Sequence, residues 1–396
     1  VGKASHRNNF QKISFIEAKF QCHILYKYVK TIAKIKLLTD DDGKKRLLDT
    51  MEAFNSACNE IAETCFEQKS ASKFRIQKLV YHDIRKKYGL SAQLTIRAIA
   101  KTCDAYKINK KTKPTFKKYG SITYDQRILT FKGLPLQKPQ VSLTTLEGRK
   151  LFNIEIREYF AGRASRIAGQ VDLIYKKGEF YLYATCDMPE DTPISPDDCL
   201  GVDLGVKNIA VDSSGETFSN DKVEQARVKT LKLRSNLQSK KTKSSKKKLK
   251  KISGKEARFR TDVNHCVSKH LVEKAKDTNC SIALEDLTNI NKRTTVRKKQ
   301  RAERLSWAFY QLRQFIAYKA TLKGVPVVLI DPRNTSRTCN ACGHCEKANR
   351  KNQAEFVCKK CGHQDHADLN AAKNIRDLGL HQSAYCRPLS DCSKVA

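Results

Sequence analysis

Residues Cys339–Ile375 read CNACGHCEKANRKNQAEFVCKKCGHQDHADLNAAKNI, and this stretch organises the rest of the chain. Two Cys-x-x-Cys pairs, Cys339/Cys342 and Cys358/Cys361, stand fifteen residues apart. Thiolates at that spacing make a tetrahedral Zn²⁺ site, with free thiols as the alternative. Four protein ligands leave no open position for chemistry, so one structural ion is expected. His344 and Cys345, just behind the first pair, read as bystanders. Asp368 follows within a few residues and precedes a helix expected over Leu369–Leu378. A metal knot beside a lone acid says little, so the question is which other acids fold back to meet it.

Two upstream acids interrupt apolar strands. Asp203 lies in Gly201-Val202-Asp203-Leu204-Gly205, within the strand–turn–strand pattern Cys199–Val211. Glu285 closes the apolar run Ser281–Leu284. Singly each has a plain reading: Asp203 serving a glycine turn, Glu285 leaving a strand for solvent, Asp368 capping a helix. Taken together, acids on two strands and one helix start can converge on one edge of an α/β domain. Such a cluster repels itself unless divalent cations neutralise it. Carboxylate oxygens favour Mg²⁺ or Mn²⁺. Two such ions, roughly 4 Å apart, can activate water and stabilise the leaving oxygen of a phosphodiester.

The surrounding composition fits a polyanionic partner. The 396 residues carry 77 Lys+Arg against 41 Asp+Glu, a net charge of +36. A surplus of that size opposes compaction unless an anion relieves it. Lys229–Arg260 holds fourteen Lys/Arg in thirty-two residues, with Lys240, Lys241, Lys246, Lys247 and Lys248 at its centre. Arg293, Arg297 and Lys298 follow Glu285. A charge run is ordinarily a solvated helix face, but at this net charge backbone-phosphate contact is the stronger expectation. Trp307, Phe309 and Tyr310 have helical spacing, which favours core packing over base stacking. No apolar run is long enough to span a bilayer, and no basic amphipathic helix with an aromatic face suggests a membrane surface. The start of the sequence lacks an apolar leader. Cysteines outside the two pairs, such as Cys58, Cys65, Cys103, Cys186, Cys266 and Cys280, read as small buried hydrophobes in a reducing compartment. The expectation is a cytoplasmic, nucleoid-associated protein that is not secreted.

Working outward, residues 1–27 are polar and read as a disordered tail. Tyr28–Leu38 alternates as a strand, and Thr39–Gly43 offers turn and capping chemistry. Three helices are expected over Lys44–Gln68, Ser72–Lys87 and Ser91–Tyr106, then a basic connection over 108–118. Short strands at Ser121–Asp125, Arg127–Lys132, Gln140–Leu143, Arg149–Ile156, Arg166–Tyr175 and Glu179–Cys186 predict an antiparallel β-barrel or curled sheet, joined by the first strand and carrying a helical insertion over about 44–118. Pro189–Pro196 is a linker. Beyond it come a long helical region over Asp221–Lys276, a strand over Asn279–Leu287, a helix over Ser306–Gly324 and a strand over Val325–Ile330. This alternation predicts an α/β sheet. No internal repeat is evident. The chain is therefore expected to be multidomain α+β: a barrel domain over 28–197, an α/β domain over 198–337 and 364–380 interrupted by a zinc ribbon over 338–363, and a disordered tail over 381–396.

The acid-bearing segments resemble the split RuvC-like (RNase H-like) nuclease motifs of the transposon-encoded TnpB proteins, relatives of compact type V CRISPR effectors. The matches are Gly201–Gly205, Leu284-Glu285-Asp286-Leu287 and Asp368-Leu369-Asn370-Ala371-Ala372. Asn264–Lys269, Ser306–Phe309 through Tyr318–Ala320, and Thr335–Cys339 with its knuckles add to them. The likeness is dense over roughly 200–378. Arg337 stands where glutamine is common in that family, which bears on local contacts and not on the acids. The resemblance implies an RNA-guided DNA endonuclease that takes guide RNA and target DNA, with Asp203, Glu285 and Asp368 holding two Mg²⁺ or Mn²⁺ ions. The alternatives are a catalytically weak or inactive nucleic-acid-binding regulator and a non-guided nuclease or transposase. Nothing in the sequence bears on the oligomeric state.

Overall fold

The computed structural model describes residues 28–133, 138–287, 309–352 and 354–383. The expectations for residues 1–27, for most of the final segment, and for Arg293, Arg297, Lys298 and Trp307 lie outside the described residues.

The first unit begins with β1 (Tyr28–Leu38), which is followed by α1 (Asp41–Glu67), α2 (Lys73–Tyr88) and α3 (Ala92–Ile108). Local capping sets these bounds. Asp40 accepts the Gly43 N–H at 2.7 Å, and Ser72 and Ser91 cap the next two helices. Gly89 closes α2 in the left-handed region (φ 63°), where a Cβ would be strained. The chain then makes β2 (Ile122–Tyr124), β3 (Leu129–Lys132), β4 (Gln140–Thr145), β5 (Gly148–Ile156), α4 (Glu158–Ala164), β6 (Ile167–Lys176) and β7 (Glu179–Pro189). The short helix α4 was not expected from the periodicity.

These strands form a seven-stranded antiparallel sheet in the order β2-β6-β7-β1-β5-β4-β3. Of the barrel or curled sheet expected from the spacing, the structure shows a nearly closed sheet. Its edges, β2 and β3, share no ladder, and the Tyr124 hydroxyl bridges to the Thr144 carbonyl at 3.0 Å. β1 sits centrally, with Ala33, Ile35 and Leu37 buried on the face toward the helices. The helices between β1 and β2 complete one core, in which Leu47, Phe54, Ile76 and Leu94 meet Tyr124 and Phe180.

The Pro189–Pro196 linker is pinned. The Asp191 and Ile194 N–H groups donate to the Leu322 and Gly324 carbonyls at 3.2 and 2.8 Å. Gly324 (φ 67°) approaches so closely that a Cβ there would lie 2.2 Å from the Thr192 carbonyl oxygen.

The second unit runs β8 (Asp198–Asp203), β9 (Asn208–Asp212), β10 (Thr217–Ser219), α5 (Asp221–Ser239), α6 (Lys243–Ile252), α7 (Lys255–Asp277), β11 (Cys280–Glu285), α8 (Phe309–Leu322) and β12 (Val327–Ile330). The single long helical region is three helices, and β10 is an addition. The ribbon strands β13 (Glu355–Val357) and β14 (Gln364–His366) lead into α9 (Ala367–Ser383), which begins before Leu369 and runs past Leu378. The five-stranded sheet has the order β10-β9-β8-β11-β12, antiparallel from β10 to β8 and parallel from β8 to β12. Period-two alternation sorts its side chains. Leu200, Val202, Ile282 and Leu284 face α7 and α8, whereas Cys199 and Ala283 face Ile375 of α9. The sheet therefore lies between two helical layers.

Candidate active site and cysteine cluster

Asp203 and Glu285 close two neighbouring parallel strands. The β8–β11 register pairs Val202 with Leu284, so the next residues, the two acids, come side by side at the carboxyl ends. In open α/β sheets this is where ligands bind. Both acids continue the face that carries Cys199, Gly201 and Ala283, the face covered by α9.

Gly201 makes that cover possible. A Cβ there would stand 2.2 Å from the Ala372 carbonyl oxygen and 2.4 Å from the Arg376 N–H nitrogen. Gly379 does the same one turn on, where a Cβ would lie 2.6 Å from Ala283 Cβ and 2.7 Å from Cys199 Sγ. With the helix so close, Asp368, four residues before Ala372, is brought to the strand ends. Asp368 is not the cap. α9 starts at Ala367, and Asp368 lies in its first turn, where the helix dipole favours an acid. Glu285 does not leave for solvent either: it is 8% exposed and accepts the Thr335 hydroxyl.

The electrostatics record the convergence. Burial, then the charges of Glu285 and Asp368, push the Asp203 carboxyl up to about 8 from its ordinary 3.8. Burial also raises Glu285, opposed by the Thr335 hydrogen bond. Arg350, from the ribbon, counters both shifts and places Nη2 3.3 Å from Asp368 Oδ1. Asp368 Oδ2 accepts the Asn208 side-chain amide at 3.0 Å. The acids are nonetheless loosely grouped. Among the described residues, only the cysteines form a set of three or more ligand atoms all within 4.8 Å of one another.

The four cysteines fit zinc. A Zn–S bond of about 2.3 Å sets tetrahedral sulfurs roughly 3.8 Å apart. The Cys339–Cys361 and Cys342–Cys358 sulfurs stand 3.7 and 3.6 Å apart. The two knuckles are near copies, a repeat that composition does not reveal. Each reads Cys-x-x-Cys-Gly-His, with Gly343 and Gly362 left-handed at φ 71° and 73°. Cys339 and Cys358 each donate their N–H to the carbonyl of that histidine at 2.9 Å. The backbone N–H groups of Cys361 and Lys360 hold the Cys358 thiol down to about 6, which suits a metal-binding thiolate. His344 pairs with Glu346, and Cys345 is exposed outside the cluster.

Asparagines join the ribbon to the helix. The buried Asn370 accepts the Asn340 N–H at 3.0 Å and donates to the Thr338 carbonyl at 2.8 Å. Asn374 donates to the Thr335 and Thr338 carbonyls at 2.8 and 2.7 Å. The Asn in Asp368-Leu369-Asn370 therefore clamps the first knuckle. Sequence reasoning gave no role to Arg350, Asn208 or Thr335, although Thr335 opens the matched segment Thr335–Cys339 and Arg350 lies between the two knuckles.

Of the expected nucleic-acid contacts, Lys240, Lys241 and Lys246–Lys248 are all exposed. Lys247 and Lys248, with Lys250 and Lys251, line an open cavity of about 720 Å³ together with Lys176 and Lys177 from the β6–β7 turn. His265 of α7 stacks on Phe315 of α8 at 3.9 Å. Phe309 packs against the core, but Tyr310 is 66% exposed beneath Arg313, so core packing fails for it. Cys266 is likewise exposed, contrary to its reading as a buried hydrophobe. No helix among the described residues is long and apolar enough to cross a membrane.

Comparisons with known proteins fall on the same segments. Residues 184–300 match the family described as "Probable transposase", and residues 309–375 match the "Cas12f1-like, TNB domain". The CRISPR-associated endodeoxyribonuclease Cas12f1 of Sulfoacidibacillus thermotolerans is 39% identical over 132 residues, 33% of this chain and 29% of that protein. The chain spans less than half the length of the Cas12f relatives it matches. A cryo-EM structure of a Cas12f1–sgRNA–target DNA complex superposes with a TM-score of 0.59 at 15% identity, covering 83% of this chain and 82% of that one. The fold is thus the multidomain α/β fold of compact Cas12 proteins, with a nearly closed N-terminal sheet. A TnpB-like protein of Methanocaldococcus jannaschii is 32% identical over 202 residues, 46% of this chain and 71% of that protein, and on that match the chain belongs to the TnpB-like family.

Proposed function

We propose that this protein is an RNA-guided DNA endonuclease of a mobile element, hydrolysing phosphodiester bonds at a RuvC-like site formed by Asp203, Glu285 and Asp368. The observation that carries the proposal is the side-by-side placement of Asp203 and Glu285 at parallel strand ends beneath the first turn of α9. The strand order, three antiparallel strands followed by two parallel ones, supports an RNase H-like assignment. We assign residues 198–337 and 364–380 to one nuclease unit split by the ribbon. The names of relatives, "CRISPR-associated endodeoxyribonuclease" and "TnpB-like protein", support the same activity.

Carboxylate oxygens suit two Mg²⁺ or Mn²⁺ ions, which supply an activated water and stabilise the leaving oxygen. The residues present fit such ions: burial disfavours the charges of Asp203 and Glu285, and at Asp203 the nearby Glu285 and Asp368 add to it, so a bound cation would relieve the site. Asn208 and Thr335 orient Asp368 and Glu285. The lysines of α6 and of the β6–β7 turn are suited to hold a guide–target duplex through its phosphates, independently of sequence.

The test is Asp203→Ala. In the RNA-loaded protein with Mg²⁺ or Mn²⁺ it is expected to lower target-DNA cleavage by more than about 10³-fold, with guide-RNA affinity within about twofold of wild type. Retained cutting would refute the acid assignment. A wild-type protein that binds RNA and target DNA yet never cuts would favour a nucleic-acid-binding regulator. Full activity without RNA would favour a non-guided nuclease.

A further inference from the structure

Arg350 enters the acid cluster from the ribbon. It follows the 3₁₀ turn Lys347–Asn349. Asn349, fully buried, ties that turn to both knuckles. Its amide donates to the Arg337 and His344 carbonyls at 3.0 and 3.1 Å, and its Oδ1 accepts the Lys359 N–H at 2.9 Å. The position of residue 350 is therefore set by the fold of the cysteine cluster. From there one guanidinium lies 3.3 Å from Asp368 and acts electrostatically on Asp203 and Glu285, acids held by three separate elements.

Resting on the metal-site reading above, we propose that Arg350 is a resident counter-ion, delivered by the cysteine ribbon, that competes with divalent cations at Asp368. Both Asp368 oxygens have donors: Arg350 on Oδ1 and Asn208 on Oδ2. A cation ligated by Asp368 needs at least one of them. The Asn208 amide is neutral and can turn its carbonyl inward. The guanidinium offers only donors and cannot lose its charge in a protein, so it yields by moving. While in place it stabilises the metal-free cluster and opposes an incoming divalent ion. The ribbon then does two things: it anchors α9, and it sets how much cation is needed to load the site.

The experiment compares wild type, Arg350→Ala and Arg350→Lys as full zinc-loaded chains, by Mn²⁺ binding isotherms and by thermal unfolding with and without Mn²⁺. Arg350→Ala is expected to bind Mn²⁺ about tenfold more tightly. It is also expected to melt lower without Mn²⁺ and to gain more from Mn²⁺ than wild type does. Arg350→Lys keeps the charge and should stay near wild type. Weaker or unchanged Mn²⁺ binding by a zinc-retaining Arg350→Ala would overturn the counter-ion role, because a merely structural arginine cannot raise affinity when lost. If Arg350→Ala loses zinc, Arg350→Gln is measured in its place, with the same two outcomes. Asp203→Ala separates the two readings. Should it leave Mn²⁺ binding intact, the metal-site reading fails. Should it abolish binding while Arg350→Ala does not tighten it, only the counter-ion proposal fails.

Discussion

The cysteine cluster and the acid cluster differ in what holds their like ligands together. The thiols are drawn together by the backbone: two copied turns, each with a left-handed glycine and N–H groups aimed at sulfur, bring the four sulfurs to zinc spacing. The acids come from two strands and a helix and are drawn together by packing across the sheet, with Arg350 among them. The first is a closed site built from local chain geometry. The second is an open one built from long-range contacts, and its charges remain in tension. Four thiols at that spacing leave no ligand position open, whereas a loose carboxylate set with a guanidinium beside it does.

The contrast can be broken most severely at the ribbon. Cys358→Ser removes a ligand, and binding energy at a structural zinc is folding energy, on the order of 10 kcal/mol for isolated sites. The expected outcome is loss of zinc by metal analysis and protease cleavage within residues 338–366. The clamps of Asn370 and Asn374 on Thr338 should fail with it, loosening α9. Full zinc content in this variant would mean that the four cysteines are not the ligand set.

Gly201→Ala tests the acid side without touching an acid. Its Cβ would meet helix backbone on both nearby contacts, so no side chain can turn away. A loss of about 3 kcal/mol is expected from denaturant midpoints, with zinc retained. A neutral effect would mean that α9 does not need its close seat on β8.

The smallest effect is a pH slope. Asp203 has a folded value of about 8 against 3.8, so between those limits the folded chain keeps a proton that the unfolded chain has lost. Stability of the divalent-free protein therefore falls as pH rises through this window, by up to about 1 kcal/mol per unit, and levels above pH 8. Glu285, also raised, adds in the same direction at the acidic end. His265, lowered by burial and by Lys319, works in the opposite direction near its own range. The difference between wild type and Asp203→Asn, from urea midpoints at pH 5 to 8, isolates the Asp203 contribution. Equal slopes would place Asp203 outside the repelling cluster.

Much of the first unit was legible because its signals are local. Asp40, Ser72, Ser91 and Gly89 carry their capping chemistry wherever they stand, and β1 and β11 show their faces in alternation or continuous apolarity. Three-residue β10 and seven-residue α4 are too short to impose a period. The barrel was expected from strand spacing, yet closure depends on whether β2 and β3 pair, and spacing says nothing of edges. At the site, the three acids were named from apolar context and a family resemblance. Arg350, Asn208 and Thr335 were given no role, since a polar residue in a loop or at a strand start has no local mark of what it will face.

The sequence alone therefore determined the candidate groups: four thiols at knuckle spacing, two acids at the ends of apolar strands and one at a helix start. It did so because a metal knuckle is closed by a few consecutive residues and because an acid in an apolar run is conspicuous. Tertiary structure decided which carboxylates share a face, through the parallel register of β8 with β11 and the close approach that Gly201 permits. It also decided that the segment between the cysteine pairs sets the Arg350 guanidinium against Asp368. Those relations join residues 65 to 165 positions apart in sequence (Arg350 with Glu285, Asp203 with Asp368), and only packing brings them into one electrostatic neighbourhood.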